Sequence, residues 1–331
     1  MELSTTPRNP LATMLHTRNE SLLGQGPWSP QHSTQPPLDP KPAFGQVYVT
    51  LLICALGVSG NGLVILFLVF HIKRKPFTVY ILHLAIADFL VLLCTSVLQL
   101  MSITYSHSEN YTQLHYFMYL VIFGYNTGLY LLTAISVERC LLVLFPFWYH
   151  CQRPKHQSAV ACTLLWALSF LVSGLENFFC ILQEQPKFPE CRFVYIFSCI
   201  LTLVFVPLMV GSSLILFIKV SCNRKPRQPV KLYVIITATV VLFLVFALPT
   251  KVLLILAYYG HDASVWHFYP HLNMLSTINC SVNPIVYFVV GSIRRKKSRK
   301  SLKEALQRVF EEKPMSDVGA NSSCSSPMAF T

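Results

Sequence analysis

Residues Tyr116–Leu144 read YFMYLVIFGYNTGLYLLTAISVERCLLVL, and Glu138-Arg139 is the one charged pair in the run. An apolar helix of ~20 residues is long enough to cross bilayer hydrocarbon. This run exceeds that length, and Val143 and Leu144 carry it past the charges. Ionisable groups at the edge of an apolar zone are costly and are seldom kept without a role. The same chemistry recurs at Leu84-Ala85-Ile86-Ala87-Asp88, where a carboxyl stands mid-run, and at Asn283-Pro284-Ile285-Val286-Tyr287.

Working outward, seven apolar runs lie near Phe44–Phe70, Thr78–Met101, Tyr116–Leu144, Gln157–Phe179, Phe193–Lys219, Val230–Tyr258 and His267–Val290. They are called spans one to seven below. More than half of the residues are hydrophobic, at 53%, and 12% are charged, which excludes a pair of ordinary soluble domains. The pattern predicts an all-α membrane protein, a seven-transmembrane helix bundle over residues 44–291. Residues 1–43 are polar and Pro-rich, with no basic-apolar-cleavage pattern. They are expected to be a disordered extracellular segment, with span one acting as the membrane signal.

A net charge of +12 could point to nucleic acid, but its distribution argues otherwise. Of the 26 Lys and Arg residues, 19 fall in alternate connections and the tail, among them Lys73, Arg74, Lys75, Arg153, Lys155, Arg224, Lys225 and Arg294 to Lys297. Basic residues mark cytosolic loops, so the N-terminus is expected outside and the C-terminus inside. The excess also suits the anionic inner leaflet. Leu302, Ala305, Leu306, Val309 and Phe310 follow helical spacing among basic residues, which predicts an amphipathic membrane-surface helix over 292–310. Residues 311–331, with Ser316, Ser322, Ser323, Ser325 and Ser326, read as a disordered cytoplasmic tail open to phosphorylation.

The 11 cysteines are scattered and show no metal-ligand spacing. Cys180 and Cys191 alone share the outer side, where they could form a disulfide or stand as two free thiols. Asn19-Glu20-Ser21 and Asn110-Tyr111-Thr112 are glycosylation sequons on expected outer segments, unless they are chance matches.

Asp88 reads either as a structural hydrogen-bonding group or as part of a polar network with Asn61, Asn279 and Asn283. A sodium ion there is disfavoured, because the third-span positions facing it are Gly124 and Gly128. Glu138 and Arg139 could be a solvated helix end or a breakable lock whose release frees Arg139 for a cytosolic partner. Pro207, Pro249 and Pro284 each remove a backbone donor inside a span and predict kinks. Glu176 and Lys251, near the outer ends of spans four and six, either snorkel to headgroups or line a pocket. Tyr125 and Tyr258 offer aromatic surface beside them.

Gly60-Asn61, Leu84 to Asp88, Glu138-Arg139-Cys140, Trp166, Pro207, Pro249 and Asn283 to Tyr287 stand in the order found in the rhodopsin-like class of G protein-coupled receptors. The resemblance runs from about Phe44 to Phe310. Phe123 to Gly128, Thr133 to Cys140 and Ser281 to Phe288 resemble the Mas-related receptors. Ser173 to Cys180, with Pro189 to Arg192, is similar to the H branch of that family. The resemblance implies an outside ligand, a peptide or small molecule, and a heterotrimeric G protein. Arrestin, a receptor kinase and membrane lipids follow as further partners, and nucleic acid does not. It implies no cofactor and no catalytic residue, and it assigns coupling to Glu138, Arg139, Asn283, Pro284 and Tyr287.

Departures from the class are informative. Leu114-His115-Tyr116 stands where the class keeps a third-span cysteine. The family instead joins span four to the start of span five, which Cys180 and Cys191 reproduce. Ala247 replaces the usual Trp of span six, so a shallow ligand is expected. Tyr195 stands where some relatives carry a second acid for cationic ligands. Val121 excludes an amine receptor and Thr277 excludes a retinal-binding opsin. A transporter would show internal repeats and paired interrupted helices, and neither is visible. A receptor-like protein that binds without coupling is the other alternative, left open by Ala247.

Overall fold

A computed structural model describes residues 41–72, 76–104, 111–154, 156–181, 188–222, 230–253 and 269–292. The described residues are helical almost throughout. Span one is Lys41–Phe70, span two Pro76–Thr104, span three Tyr111–Leu144, and a short helix Pro146–Cys151 follows. Span four is Gln157–Glu176, continued by a π-helical turn Asn177–Ile181, and span five is Phe188–Cys222. Span six is Val230–Leu242 with a π-helical stretch Phe243–Ala247, helical again to Leu253, and span seven is Tyr269–Ser292.

Six of these helices are long and apolar enough to cross a membrane. Span seven owes its lower hydropathy to Ser276, Thr277, Asn279, Ser281 and Asn283, all buried in the bundle. The packing closes a ring. Span two meets spans one and four, span five joins four to six, and span seven joins six to one and two. Span three runs through the middle, against spans two, four, five and six.

The side chains sort as a bilayer requires. Leu52, Leu164 and Leu203 are 63%, 64% and 72% exposed on the outer faces. Inside, Leu84, Leu131, Met209, Leu216 and Tyr287 form a core that shares its interior with Asn61, Asp88, Asn126, Ser136 and Arg139. Polar groups shut away from lipid must find partners within the bundle. Serines and threonines do so locally: Thr133, Ser136 and Thr239 donate to the carbonyl one turn back.

Two glycines permit the closest helix approaches. A Cβ on Gly57 would strike the Ser281 hydroxyl, and one on Gly124 would lie 2.5 Å from Val91 Cγ2 and 3.3 Å from the Ala87 carbonyl. Gly124 thus lets span three rest on span two. Pro207 and Pro284 sit inside continuous helices. At Pro249 the preceding turn widens, and the Leu248 N–H reaches back to the Phe243 carbonyl, five residues away. Proline offers no N–H to the helix, and π-turns commonly accommodate such a break.

Candidate functional site

Buried polar groups gather at four depths. Outermost, Lys251 Nζ donates to Glu176 Oε1 at 2.9 Å. Their side chains are 12% and 5% exposed, so neither snorkels to headgroups. Glu176 ends the α-helical part of span four, and Lys251 stands one turn beyond Ala247 on span six.

One turn deeper, spans three, six and seven are stitched together. The Tyr125 hydroxyl donates to the Ala247 carbonyl at 2.8 Å and lies 2.6 Å from the Ser276 hydroxyl. Thr250 donates to the Leu272 carbonyl at 3.0 Å and sits 2.7 Å from Ser276. The partner of Tyr125 is therefore the backbone of the residue that stands in place of the class tryptophan. Thr250 and Ser276 were not singled out in the sequence, where a lone hydroxyl in an apolar span carries no signal of its own.

At mid-depth, Asn283 Nδ2 donates to Asp88 Oδ2 at 2.7 Å, and the Cys280 thiol also bonds to Asp88. Asn61 Nδ2 donates to the carbonyls of Gly57 and Cys280, each at 3.0 Å. Asn61 thus ties spans one and seven, Asn283 ties seven and two, and Cys280 links the halves. Asn279 is buried beside them, and its Oδ1 has no hydrogen-bond partner among the described residues.

Innermost lies the Glu138-Arg139 pair. Arg139 is 2% exposed, with its guanidinium carbon 4.0 Å from the centre of the Phe77 ring on span two. Glu138 accepts from the Tyr149 hydroxyl at 2.9 Å and forms an ion pair with Arg153. Arg153 also donates to Tyr149 at 3.0 Å, Gln157 at 3.3 Å and Ser158 at 2.6 Å. Burial, then the nearby Glu138 charge, pushes the Tyr149 phenol well above its usual range, so it stays a donor. The short helix Pro146–Cys151 and the loop after it are thereby bound to span three. In the sequence, Arg153 read only as a marker of the cytosolic side.

Tyr287 is buried in the core and Pro284 packs at Gly60. Cys191 is disulfide-bonded, while the Cys180 side chain lies outside the described residues. Tyr258, Asn19, Asn110, the surface helix at 293–310 and the tail at 311–331 also lie outside them.

The arrangement is a stack of interhelical contacts running from the Glu176–Lys251 pair at one end of the bundle to the buried Arg139 at the other. Comparison with known proteins agrees. The family model "7 transmembrane receptor (rhodopsin family)" matches residues 60–287. Mas-related G-protein coupled receptor member H of Rattus norvegicus is 67% identical, over 92% of this chain and 95% of its own length. The Mus musculus member H is also 67% identical, over 92% of this chain and 93% of its own. Proto-oncogene Mas of Homo sapiens is 46% identical, over 80% and 83%. The chain belongs to the rhodopsin family of seven-transmembrane receptors and, within it, to the Mas-related G protein-coupled receptors, which are not enzymes.

Proposed function

We propose that this receptor sits in the plasma membrane with its N-terminus outside, binds an extracellular peptide or small polar ligand, and activates a heterotrimeric G protein. The observation that carries the reading is the buried Arg139, packed on Phe77 beside a Glu138 held by Arg153 and Tyr149. A multi-donor guanidinium kept inside the cytosolic end of the bundle is a group that outward movement of the helices would release to a partner. Glu138, Arg139, Asn283, Pro284 and Tyr287 are the coupling residues of this reading. The Asn61–Asp88–Asn279 region is the polar hinge above them. Glu176, Lys251, Tyr125 and Tyr258 form the ligand side.

Cys180 is the partner we assign to Cys191, closing the loop between spans four and five. Residues 1–43 form an outer segment glycosylated at Asn19, with a second glycan at Asn110. Residues 44–291 are the receptor domain. Residues 292–310 lie on the inner leaflet, and residues 311–331 form a tail for receptor kinase and arrestin.

A G protein dissociation panel in transfected cells tests coupling. Arg139→Ala is expected to abolish release at wild-type surface expression, and undiminished release at equal expression would reject the reading. Non-reducing peptide mapping is expected to recover Cys180 and Cys191 as one linked species.

A further inference from the structure

The Glu176–Lys251 pair joins two helices that are not neighbours in the ring. Span five packs against both span four and span six and stands between them. A direct 2.9 Å bond from Glu176 to Lys251, with both side chains buried, therefore crosses the inside of the bundle. Thr250, the residue before Lys251, meets Ser276, and Ser276 meets Tyr125 in turn. The ion pair is thus a bar across the bundle between spans four and six.

Removing one partner of a buried ion pair leaves an uncompensated charge. A ligand with a single positive charge could take Glu176 only by stranding Lys251, and a single negative charge strands Glu176. A ligand carrying both signs opens the bar without stranding either: its carboxylate takes Lys251 and its basic nitrogen takes Glu176. Selectivity then comes as much from the penalty on the wrong charge class as from attraction to the right one.

We propose that the Glu176–Lys251 bar sets the ligand class of this receptor to molecules bearing a carboxylate and a basic nitrogen together, and that it opens by ion-pair exchange. The proposal rests on the ligand side of the receptor reading above.

Three small probes on one carbon skeleton test it: n-butylguanidinium, butyrate and 4-guanidinobutyrate. Thermal unfolding of the full-length receptor in phosphatidylcholine nanodiscs gives the apparent affinity of each. In the wild type, 4-guanidinobutyrate is expected to stabilise the receptor with an apparent affinity at least about tenfold above either single-charge probe. Lys251→Met is expected to gain a response to n-butylguanidinium, and Glu176→Gln a response to butyrate. The double variant Glu176→Gln/Lys251→Met, which strands no charge, controls for folding and is expected to respond to none.

Equal stabilisation of the wild type by the single-charge probes overturns the proposal. So does the absence of any response in all four proteins, which would make the bar a staple closed to ligands. Arg139-dependent G protein release, measured in the same cell line, separates these failures from failure of the receptor reading itself.

Discussion

The Tyr125 hydroxyl donates to the Ala247 carbonyl, 2.8 Å away, and so fastens span three to span six where span six is π-helical. Ser276, 2.6 Å from the same hydroxyl, brings span seven into the contact. A bulky tryptophan at position 247 would couple these helices by packing. With alanine there, a hydrogen bond between a phenol and a main-chain carbonyl does the joining. Such a bond is directional and lost over a small displacement, so it ties the two helices only in this relative placement.

Tyr125→Phe removes that hydroxyl and keeps the ring. A buried polar group left without its partner costs about 1–3 kcal/mol. The variant is expected to unfold at a lower temperature and to raise basal G protein release, because span six is less firmly held. Ser276→Ala should act in the same direction and more weakly, since the Ala247 carbonyl keeps its donor. Unchanged basal release and an unchanged unfolding temperature in Tyr125→Phe would show that the bond is incidental.

Gly124 and Gly128 look equivalent in the sequence, one helical turn apart, and the structure separates them. A Cβ at Gly124 meets Val91 Cγ2 at 2.5 Å, whereas a Cβ at Gly128 meets nothing within 4 Å. Overpacking of a well-filled interior typically costs about 1–3 kcal/mol. Gly124→Ala is expected to lose stability on that scale and Gly128→Ala to lose none. Val91→Ala in the Gly124→Ala background should restore part of the loss. Equal effects at the two glycines, read by thermal unfolding, would contradict the assigned span-two contact.

The helices were legible because lipid imposes a one-dimensional rule. Among the described residues each run long enough to span is helical, and span three ends at Leu144 as its composition indicates. Their ends extend further where water permits, as at Tyr111 and Cys222. Asp88 was legible as a buried carboxyl that needs amide partners, with Asn61, Asn279 and Asn283 as the candidates, but the sequence could not say that Asn283 is the one that donates to it. Arg153 was not legible, because its charge has a sufficient explanation in topology. The bond between Glu176 and Lys251 was not either. Each residue shows its charge in the sequence, but their meeting depends on how spans four and six face each other across the bundle. The π-helical stretch at Phe243–Ala247 has Pro249 as its only trace.

Asn283→Asp would set a second carboxylate against Asp88, where an amide now donates over 2.7 Å. Two like charges at that range cannot both ionise without cost. Asn283→Ala only removes the donor, with an expected loss of about 1–3 kcal/mol. Asn283→Asp should therefore be the more damaging of the two. The exchange Asp88→Asn/Asn283→Asp keeps one amide and one carboxyl in the pair and is expected to recover much of the stability. Thermal unfolding and surface expression check the order. An exchanged variant no better than Asn283→Asp alone would mean that the pair's surroundings, rather than the pair, set the requirement.

Glu138 and Arg153 permit a sharper test, because both side chains are 7% exposed and face each other as an ion pair. Breaking a buried ion pair from one side typically costs about 3–5 kcal/mol, largely because the remaining charge is left unpaired. Arg153→Ala leaves Glu138 with the Tyr149 hydroxyl among its recorded partners, and Glu138→Gln leaves Arg153 with Tyr149, Gln157 and Ser158. Arg153 keeps the richer set, so Arg153→Ala is expected to be the more destabilising single change. The double variant Glu138→Gln/Arg153→Ala strands no charge and should be more stable than the sum of the two losses implies, with a coupling of about 1–3 kcal/mol. Tyr149→Phe, which removes one neutral donor, should cost about 1 kcal/mol. The unfolding temperatures of the wild type, the two single variants and the double variant complete the cycle. Strict additivity would mean that the two charges do not depend on each other, and that the Tyr149–Glu138 bond and packing, rather than the ion pair, hold the short helix Pro146–Cys151 to span three.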